Sequence, residues 1–378
     1  MSNRIEIVGA GPSGLVAAIS LARAGCNITV YEEKSEVGHR FHGDFQGLEN
    51  WSSEEDVTTI LERLGIYNKL YLNYICQPYN KLIVFDSNLK ETVFHSERPF
   101  FYLVQRGSRT GCLDYGLMKM AEDAGVNIVF NQRIDKEEKP AIIGICPRAA
   151  DAIAKGVIFN TTMEDTAAAI LDDTLAPKGY SYLLIHENKA TMATCMFRDF
   201  KNEREYFERT VATFKKAFPK LNITDAKEFG GYGNFFFDKP AFENNRYYVG
   251  EAAGLQDCLF GFGMRYAITS GYLAAKSIIE DKDYAALLSM GLLPSQKVSL
   301  VNRFLFERLG NKSYRYFIKW IAKGNTIEKI RKQYNPSIFK NILYPIAGWT
   351  YKSRLIDKGC HGKDCACVWC RCRKEEIC

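Results

Sequence analysis

RIEIVGAGPSGLVAAISLARAGCNITVYEEKS (residues 4–35) decides the architecture of the first part of this chain. Ile5, Ile7 and Val8 make a short apolar strand, and Gly9, Gly11 and Gly14 follow at GxGxxG spacing. Leu15, Ala18, Ile19 and Leu21 give the next segment the apolar face of a helix, and after Gly25 residues 28–31 read as a second strand ending at Glu32. Gly9 permits a tight turn. Gly11 lets a pyrophosphate approach the backbone N–H groups at a helix N-terminus, and Gly14 allows helix and strand to pack closely. Glu32 stands where a carboxylate accepts the hydroxyls of an adenosine ribose. An acid there suits the unphosphorylated ribose of FAD or NAD rather than that of NADP. The stretch therefore predicts a Rossmann-like βαβ unit that holds a dinucleotide.

With 378 residues and 47% hydrophobic content, the chain can bury two packed domains or one large α/β unit with an insertion. It begins MSNRIEIVGAG, going straight into a strand, and contains no apolar run of about 18 uncharged residues. The expectation is a cytoplasmic protein with reduced thiols, so its 12 cysteines do not read as six disulfides. Its charge is lopsided. Of 50 Lys and Arg, 17 lie from Val301 onward, against 6 of 44 Asp and Glu, a balance of +11 there and −5 over residues 1–300. No zinc-finger spacing, RNP-like segment or recognition helix accompanies this basic end, so nucleic acid is not the expected partner. An anionic membrane surface or an acidic protein fits it.

A second glycine-rich segment, RYYVGEAAGLQDCLFGFGMRYAITSGYLAAKSI, shows a strand at 247–249, a loop containing Gly261 and Gly263, and a small-residue helix through Ala267, Gly271, Ala274 and Ala275. Between the two lies FYLVQRGSRTGCLDYGLMKMAEDAGVNIVFNQRI, which reads strand, helix on Leu113, Leu117, Met120 and Ala121, then strand. YSYLLIHENKATMATCMF and KEFGGYGNFFF are rich in Tyr, Phe, Thr and Met with little charge, the pattern of an antiparallel sheet. A helix between them carries Phe207, Val211, Phe214 and Phe218 on one side. The predicted fold is α/β: a Rossmann-like FAD-binding domain (1–170 and 228–285) with an inserted antiparallel-sheet substrate domain (75–105 and 171–227). A basic helical C-terminal region (286–358) and a cysteine-rich tail (359–378) follow.

The GEAAG segment and its helix resemble the late flavin motif of the p-hydroxybenzoate-hydroxylase-like FAD proteins. Taken with GAGPSGLVAA and LVQRG…LDYGLMKMAEDAGV, the chain resembles the geranylgeranyl reductase family, a branch of that superfamily, over roughly residues 1–345. The resemblance implies a noncovalent FAD held at Gly9, Gly11, Gly14 and Glu32, with Arg40 and Arg106 along the cofactor; Arg109 competes with Arg106 for its place. Glu251, Gly261, Gly263 and Met264 would hold the ribityl and ring end. It also implies a reductase that saturates isolated C=C bonds of a large apolar isoprenoid, a polyprenyl or geranylgeranyl lipid. Electrons would come from an external donor, ferredoxin or NAD(P)H. The family usually has Asp where this chain has Glu251, and many members carry a cysteine in the loop that here reads EVGHRFHGDFQGLENW. His39 and His42 in that loop are the proton-donor candidates by chemical type. PKGYSYLLIHENKATM keeps the tyrosines of the family's YxWxFP motif as Tyr180 and Tyr182, without its Trp or Pro. A flavin monooxygenase or halogenase, another flavin dehydrogenase, and a non-enzymatic flavoprotein using its basic end for interaction stand as alternatives.

The basic region mixes Phe304, Phe306, Phe317, Trp320 and Ile321 with Arg308, Lys312, Arg315, Lys319 and Lys323. That composition suits either a helical cap packed on the body or a helix at an anionic membrane interface. In the tail, Cys365, Cys367, Cys370 and Cys372 are candidate metal ligands, with Cys360, His361 and Cys378 nearby. Their spacing is neither the paired knuckles of a zinc site nor the usual ferredoxin run. Zinc, an iron–sulfur cluster and a metal-free thiol tail all remain open.

Overall fold

The computed structural model describes residues 4–66, 76–134, 142–145, 150–235 and 240–352. In chain order it opens with β1 (Arg4–Val8), α1 (Pro12–Arg23), β2 (Asn27–Tyr31), β3 (Phe45–Glu49), α2 (Val57–Arg63), β4 (Cys76–Tyr79), β5 (Lys81–Asp86) and β6 (Glu91–His95). Then come β7 (Phe101–Gln105), α3 (Leu113–Asp123), β8 (Asn127–Val129), β9 (Ile142–Ile143), β10 (Ala152–Asn160), β11 (Thr166–Leu171), β12 (Tyr180–His186) and β13 (Lys189–Met196). The second half holds α4 (Glu203–Ala217), β14 (Thr224–Gly233), β15 (Phe242–Glu243), β16 (Arg246–Tyr248) and α5 (Met264–Glu280). It ends with α6 (Tyr284–Met290), α7 (Leu292–Phe306), α8 (Asn311–Ile321), α9 (Thr326–Gln333) and α10 (Ile338–Lys352).

Three sheets result. The nucleotide sheet runs β15-β16-β9-β1-β2-β8, parallel except for the β15–β16 hairpin. Its core buries Ile7, Leu15, Ala18, Ile19, Leu21, Ile28 and Val30 against α5. Helix α5 reaches α1 at backbone distance, because a Cβ on Gly271 would sit 2.1 Å from the Ser13 carbonyl oxygen. Gly14 is under the same constraint, with the Gly9 carbonyl oxygen 2.1 Å from where its Cβ would be. Both helices that open the glycine-rich segments are therefore set by glycine contacts.

The inserted sheet has order β14-β10-β13-β12-β11-β5-β6 and is antiparallel except where β11 pairs parallel with β5. Two corrections to the expected boundaries follow. Residues 152–160, 166–170 and 228–233 pair within this sheet, because β10 is laddered between β13 and β14 and β11 between β12 and β5. Segment 75–105 splits, β5 and β6 joining this sheet while β4 and β7 form a separate three-stranded sheet with β3. Side chains alternate across β12. Leu183 and Ile185 meet Phe207 and Phe214 of α4, with Val211 and Phe218 partly buried beside them, and the Ser181 and Thr210 hydroxyls lie 2.9 Å apart. Tyr180, Tyr182 and Leu184 turn the other way, into the aromatic cluster shared with β3, β7 and the C-terminal helices.

Helices α7 to α10 cap the body. Phe304, Phe306 and Ile321 are buried and Phe317 is partly buried, so the aromatics singled out in the sequence mostly pack inward. Trp320 stays exposed. No described helix is long and apolar enough to cross a membrane.

Candidate active site

The two glycine-rich segments meet at the first turn of α1. Gly9 takes φ +102°, and its N–H donates to the Tyr31 carbonyl at 2.8 Å. Glu32, just beyond β2, is anchored back to this turn. Its Oε2 accepts the Ala10 N–H at 2.8 Å and its Oε1 the Lys34 N–H at 3.0 Å. A carboxylate has roughly four acceptor sites, so capacity remains for ribose hydroxyls. Gly11 caps α1 in an extended conformation, and a Cβ there would meet no atom within 4 Å. The space that Gly11 leaves open in front of the helix N-terminus is where a pyrophosphate fits. Gly250, at φ +58°, lies against Ser13, whose Oγ would be 3.0 Å from an added Cβ, and its N–H donates to Ser270 Oγ at 2.8 Å.

Arg40 and Glu251 come together across 211 positions of sequence, Nη1 donating to Oε2 at 3.1 Å. Arg40 Nη2 also donates to the Tyr232 carbonyl at 3.0 Å, and Glu251 Oε1 accepts the Asn234 N–H at 2.8 Å. Each oxygen of Glu251 thus has a protein donor that fixes its direction. Arg106 is buried, with Nε and Nη2 each 2.8 Å from an oxygen of Asp114, and its guanidinium stacks 4.0 Å from the centre of the Phe41 ring. It braces the loop that carries Arg40; Arg109 is exposed. His39 and His42 are both exposed on that loop. His39 Nδ1 lies 3.6 Å from Glu36, and the His42 backbone N–H donates to Asp44 at 3.1 Å.

Residues 254–263 lead from Glu251 to α5, and almost every polar group of this loop is held. Gln296, Ser299 and Arg303, on one face of α7, reach it in turn. Gln296 Nε2 donates to the Gly254 carbonyl at 3.1 Å, Ser299 Oγ accepts the Cys258 N–H at 3.0 Å, and Arg303 Nη1 donates to the Leu259 carbonyl at 2.8 Å. Asp257 accepts the Leu259 and Phe260 N–H groups at 3.2 and 2.9 Å and the Tyr334 hydroxyl at 3.1 Å. Gly261 completes the turn at φ +81°, its carbonyl accepting from Gln256 Nε2 at 2.6 Å. Gln256 Oε1 is buried with no partner. Gly263 and Met264 start α5, with Met264 buried.

The loop also builds a wall. The Phe262 ring lies edge-on to Trp51 at 4.8 Å and parallel to Tyr180 at 6.5 Å. Tyr180 meets Phe260 edge-on at 5.6 Å and donates its hydroxyl to the Phe260 carbonyl at 2.9 Å. Gly47 gives Phe262 room, since a Cβ there would lie 3.1 Å from its ring. Cys195 pairs opposite Tyr180. Burial pushes the Cys195 thiol up to about 12 and both tyrosine hydroxyls well above their ordinary range. These three groups are neutral at physiological pH.

Asp114, Gln256, Asp257, Gln296, Ser299, Arg303 and Tyr334 were not singled out by the sequence. Asp114 and Asp257 sit inside the quoted motifs, so an acid among apolar neighbours was the available signal. Nothing local marks the α7 residues or Tyr334. The cysteines proposed as metal ligands, Cys365, Cys367, Cys370 and Cys372, lie outside the described residues. Among the described residues no group of three or more His, Cys, Asp or Glu side chains could hold a metal, and Cys26, Cys112, Cys195 and Cys258 are free thiols.

Comparison with known proteins agrees with this geometry. A model of the NAD(P)-binding Rossmann-like domain matches residues 7–46. Thiamine thiazole synthase of Pyrococcus horikoshii is 37% identical over 62 residues, which are 16% of this chain and only a quarter of that protein's length. Similarity of structure extends much further. A geranylgeranyl bacteriochlorophyll reductase-like protein from Thermoplasma acidophilum superposes with TM-score 0.66 at 16% identity, over 93% of this chain and 99% of the other. The chain shares that protein's fold, an α/β Rossmann-like FAD domain with an inserted sheet and a helical C-terminal cluster. A flavin-dependent brominase shares it too, with TM-score 0.64, 14% identity and the same coverage. FAD is the cofactor this fold implies, and the open approach at Gly11, the anchored Glu32 and the buried acceptor of Gln256 fit it.

Two predictions follow from the site. Gly11→Ala leaves the flavin-free protein folded, since the added Cβ meets no atom within 4 Å, but lowers bound FAD about tenfold or more by entering the pyrophosphate approach. Visible absorbance against protein content reads the second effect. The other concerns Asp257, whose carboxyl burial raises to about 6 from 3.8. Between those pH values the folded state holds a proton that the unfolded chain has released. The resulting stabilisation, on the order of 3 kcal/mol, is complete below pH 4 and is lost as pH rises through 6. Denaturant melts of wild type and Asp257→Asn should show this fall in wild type alone.

Proposed function

We propose that the chain is an FAD-dependent reductase that saturates isolated C=C bonds of a polyprenyl lipid or related isoprenoid. The observation that carries this reading is the uncharged aromatic wall of Trp51, Tyr180, Tyr182, Phe260 and Phe262 beside the Gly261–Gly263 turn. An apolar chain can lie there without desolvating a charge. When bound and reduced by an external donor, ferredoxin or NAD(P)H, FAD supplies hydride chemistry at its N5. The protein's part is placement. Gly9, Gly11 and Glu32 hold the ADP end, Glu251 and the 254–263 loop hold the ribityl and ring end, and the wall presses the alkene into position while excluding water. An isolated alkene also needs a proton on its second carbon. His39 and His42, both exposed, flank Arg40, which reaches Glu251.

Flavin halogenation or monooxygenation is the second reading, because the likeness to the brominase is almost as extensive as that to the reductase-like protein. Anaerobic incubation of the dithionite-reduced holoprotein with a geranylgeranyl lipid separates the two. The reductase reading expects products heavier by two hydrogens per saturated bond. No saturation, together with oxygen-dependent halide or hydroxyl incorporation into an aromatic acceptor, would reverse the assignment.

A further inference from the structure

The last described helix has two apolar faces, and among the described residues only one is covered. Leu343, Tyr344, Ala347 and Tyr351 of α10 pack toward α7. On the other side Ile338, Phe339, Ile342, Ile346 and Trp349 are 81, 60, 64, 50 and 73% exposed. Their spacing puts all five on one stripe along the helix. From Ile338 to Tyr351 the sole charged residue is Lys340. Single exposed apolar residues are ordinary on a protein surface, but five large ones in line mark a contact surface.

The neighbourhood says what it contacts. Residues 301–352 contain 11 Lys and Arg against 2 Asp and Glu. Both acids are already paired, Glu307 with Arg198 and Arg303 and Glu328 with Arg331. Beside the first turns of α10 a groove of about 340 Å³ runs along α7, lined by Leu293, Pro294, Val298, Tyr344, Lys297 and Lys340. Lys297 lies over the Tyr344 ring at 5.6 Å. Burial lowers the pKa of Lys340, a penalty on its charge that an adjacent anion would offset. A second copy of this chain would bring a like-charged surface to the stripe. An anionic bilayer offers acyl chains to the apolar residues and phosphates to the lysines, and a tryptophan near the helix end suits the interface.

We propose that α10 lies in the plane of an anionic membrane surface, its outward stripe among the acyl chains and a lipid headgroup phosphate in the groove between Lys297 and Lys340. This surface is separate from the residues expected from the sequence, since Phe304, Phe306 and Ile321 are turned inward. It does not depend on which reaction the flavin site performs.

Flotation of the full-length holoprotein with phosphatidylcholine vesicles, with and without phosphatidylglycerol, tests it. Binding to the phosphatidylglycerol vesicles that weakens with salt is expected, with a blue shift of tryptophan emission. Ile342→Glu with Ile346→Glu should lower partitioning about tenfold or more at unchanged circular dichroism and flavin content, and Lys297→Glu should weaken binding to phosphatidylglycerol vesicles only. The proposal fails if wild type does not float at low salt, or if the double variant floats equally well. It also fails if light scattering shows a dimer that the double variant splits. Flotation of a chain ended at Lys352 but not of the full chain would show the tail covering the stripe, and would overturn the proposal likewise.

Discussion

Arg303 is fully buried, and its position orders the rest of the site. Its guanidinium donates to the Leu259 carbonyl in the glycine-rich loop and to the Lys178 carbonyl at the entry to β12, and it stacks 4.1 Å from the centre of the Phe197 ring. One side chain from the helical cap thereby ties the 254–263 loop to the sheet that carries Tyr180 and Tyr182. A buried cation is costly unless it is paired and hydrogen-bonded. Here Glu307 lies 3.4 Å from its Nε, and the two carbonyls take its Nη groups. Gln296 and Ser299 extend the same face of α7 along the loop, so the helical region acts as a backing plate for it.

The two ends of the cradle are built differently. At the ADP end, glycines remove side chains so that backbones can touch, as Gly14 does at Gly9 and Gly271 at Ser13. Local sequence is enough for the Gly9–Gly14 turn, and Gly271 lets a distant helix close on it. The ring end is a loop of irregular backbone, and such a loop keeps one shape only when its polar groups find partners. Those partners come from α7, from Tyr334 and from Tyr180. The same contacts that hold the loop place Phe260 and Phe262 against Tyr180 and Trp51, so loop shape and wall shape are one constraint.

This difference explains what could be read in the chain beforehand. The β1–α1–β2 unit, Glu32 and the small-residue helix α5 were legible because their signals are periodicity and glycine spacing within about 30 residues. The strands of the inserted sheet were legible as strands. Their grouping was not, because ladder partners such as β10 with β14, or β3 with β7, are far apart in sequence and share no pattern beyond alternation. The pairing of Asp114 with Arg106 joins residues of a single quoted segment, yet burial of both was invisible without the fold. Composition alone located the basic C-terminal region. Which of its aromatics face inward depends on docking against the body, and Phe306 stacks on Tyr314 while Trp349 does not find the core.

In the FAD placement proposed above, the ring end of the cradle is held from behind by α7, whereas the ADP end is set by glycine contacts at the first turn of α1. Calorimetric titration of FAD and of ADP into flavin-free wild type and the Gln296→Ala, Ser299→Ala double variant tests this most directly. Removing both partners leaves the Gly254 carbonyl and the Cys258 N–H without their α7 contacts, a loss of about 1–3 kcal/mol each. The account predicts that FAD affinity falls about tenfold or more while ADP affinity is unchanged. Equal loss for both ligands, or loss for neither, would contradict it.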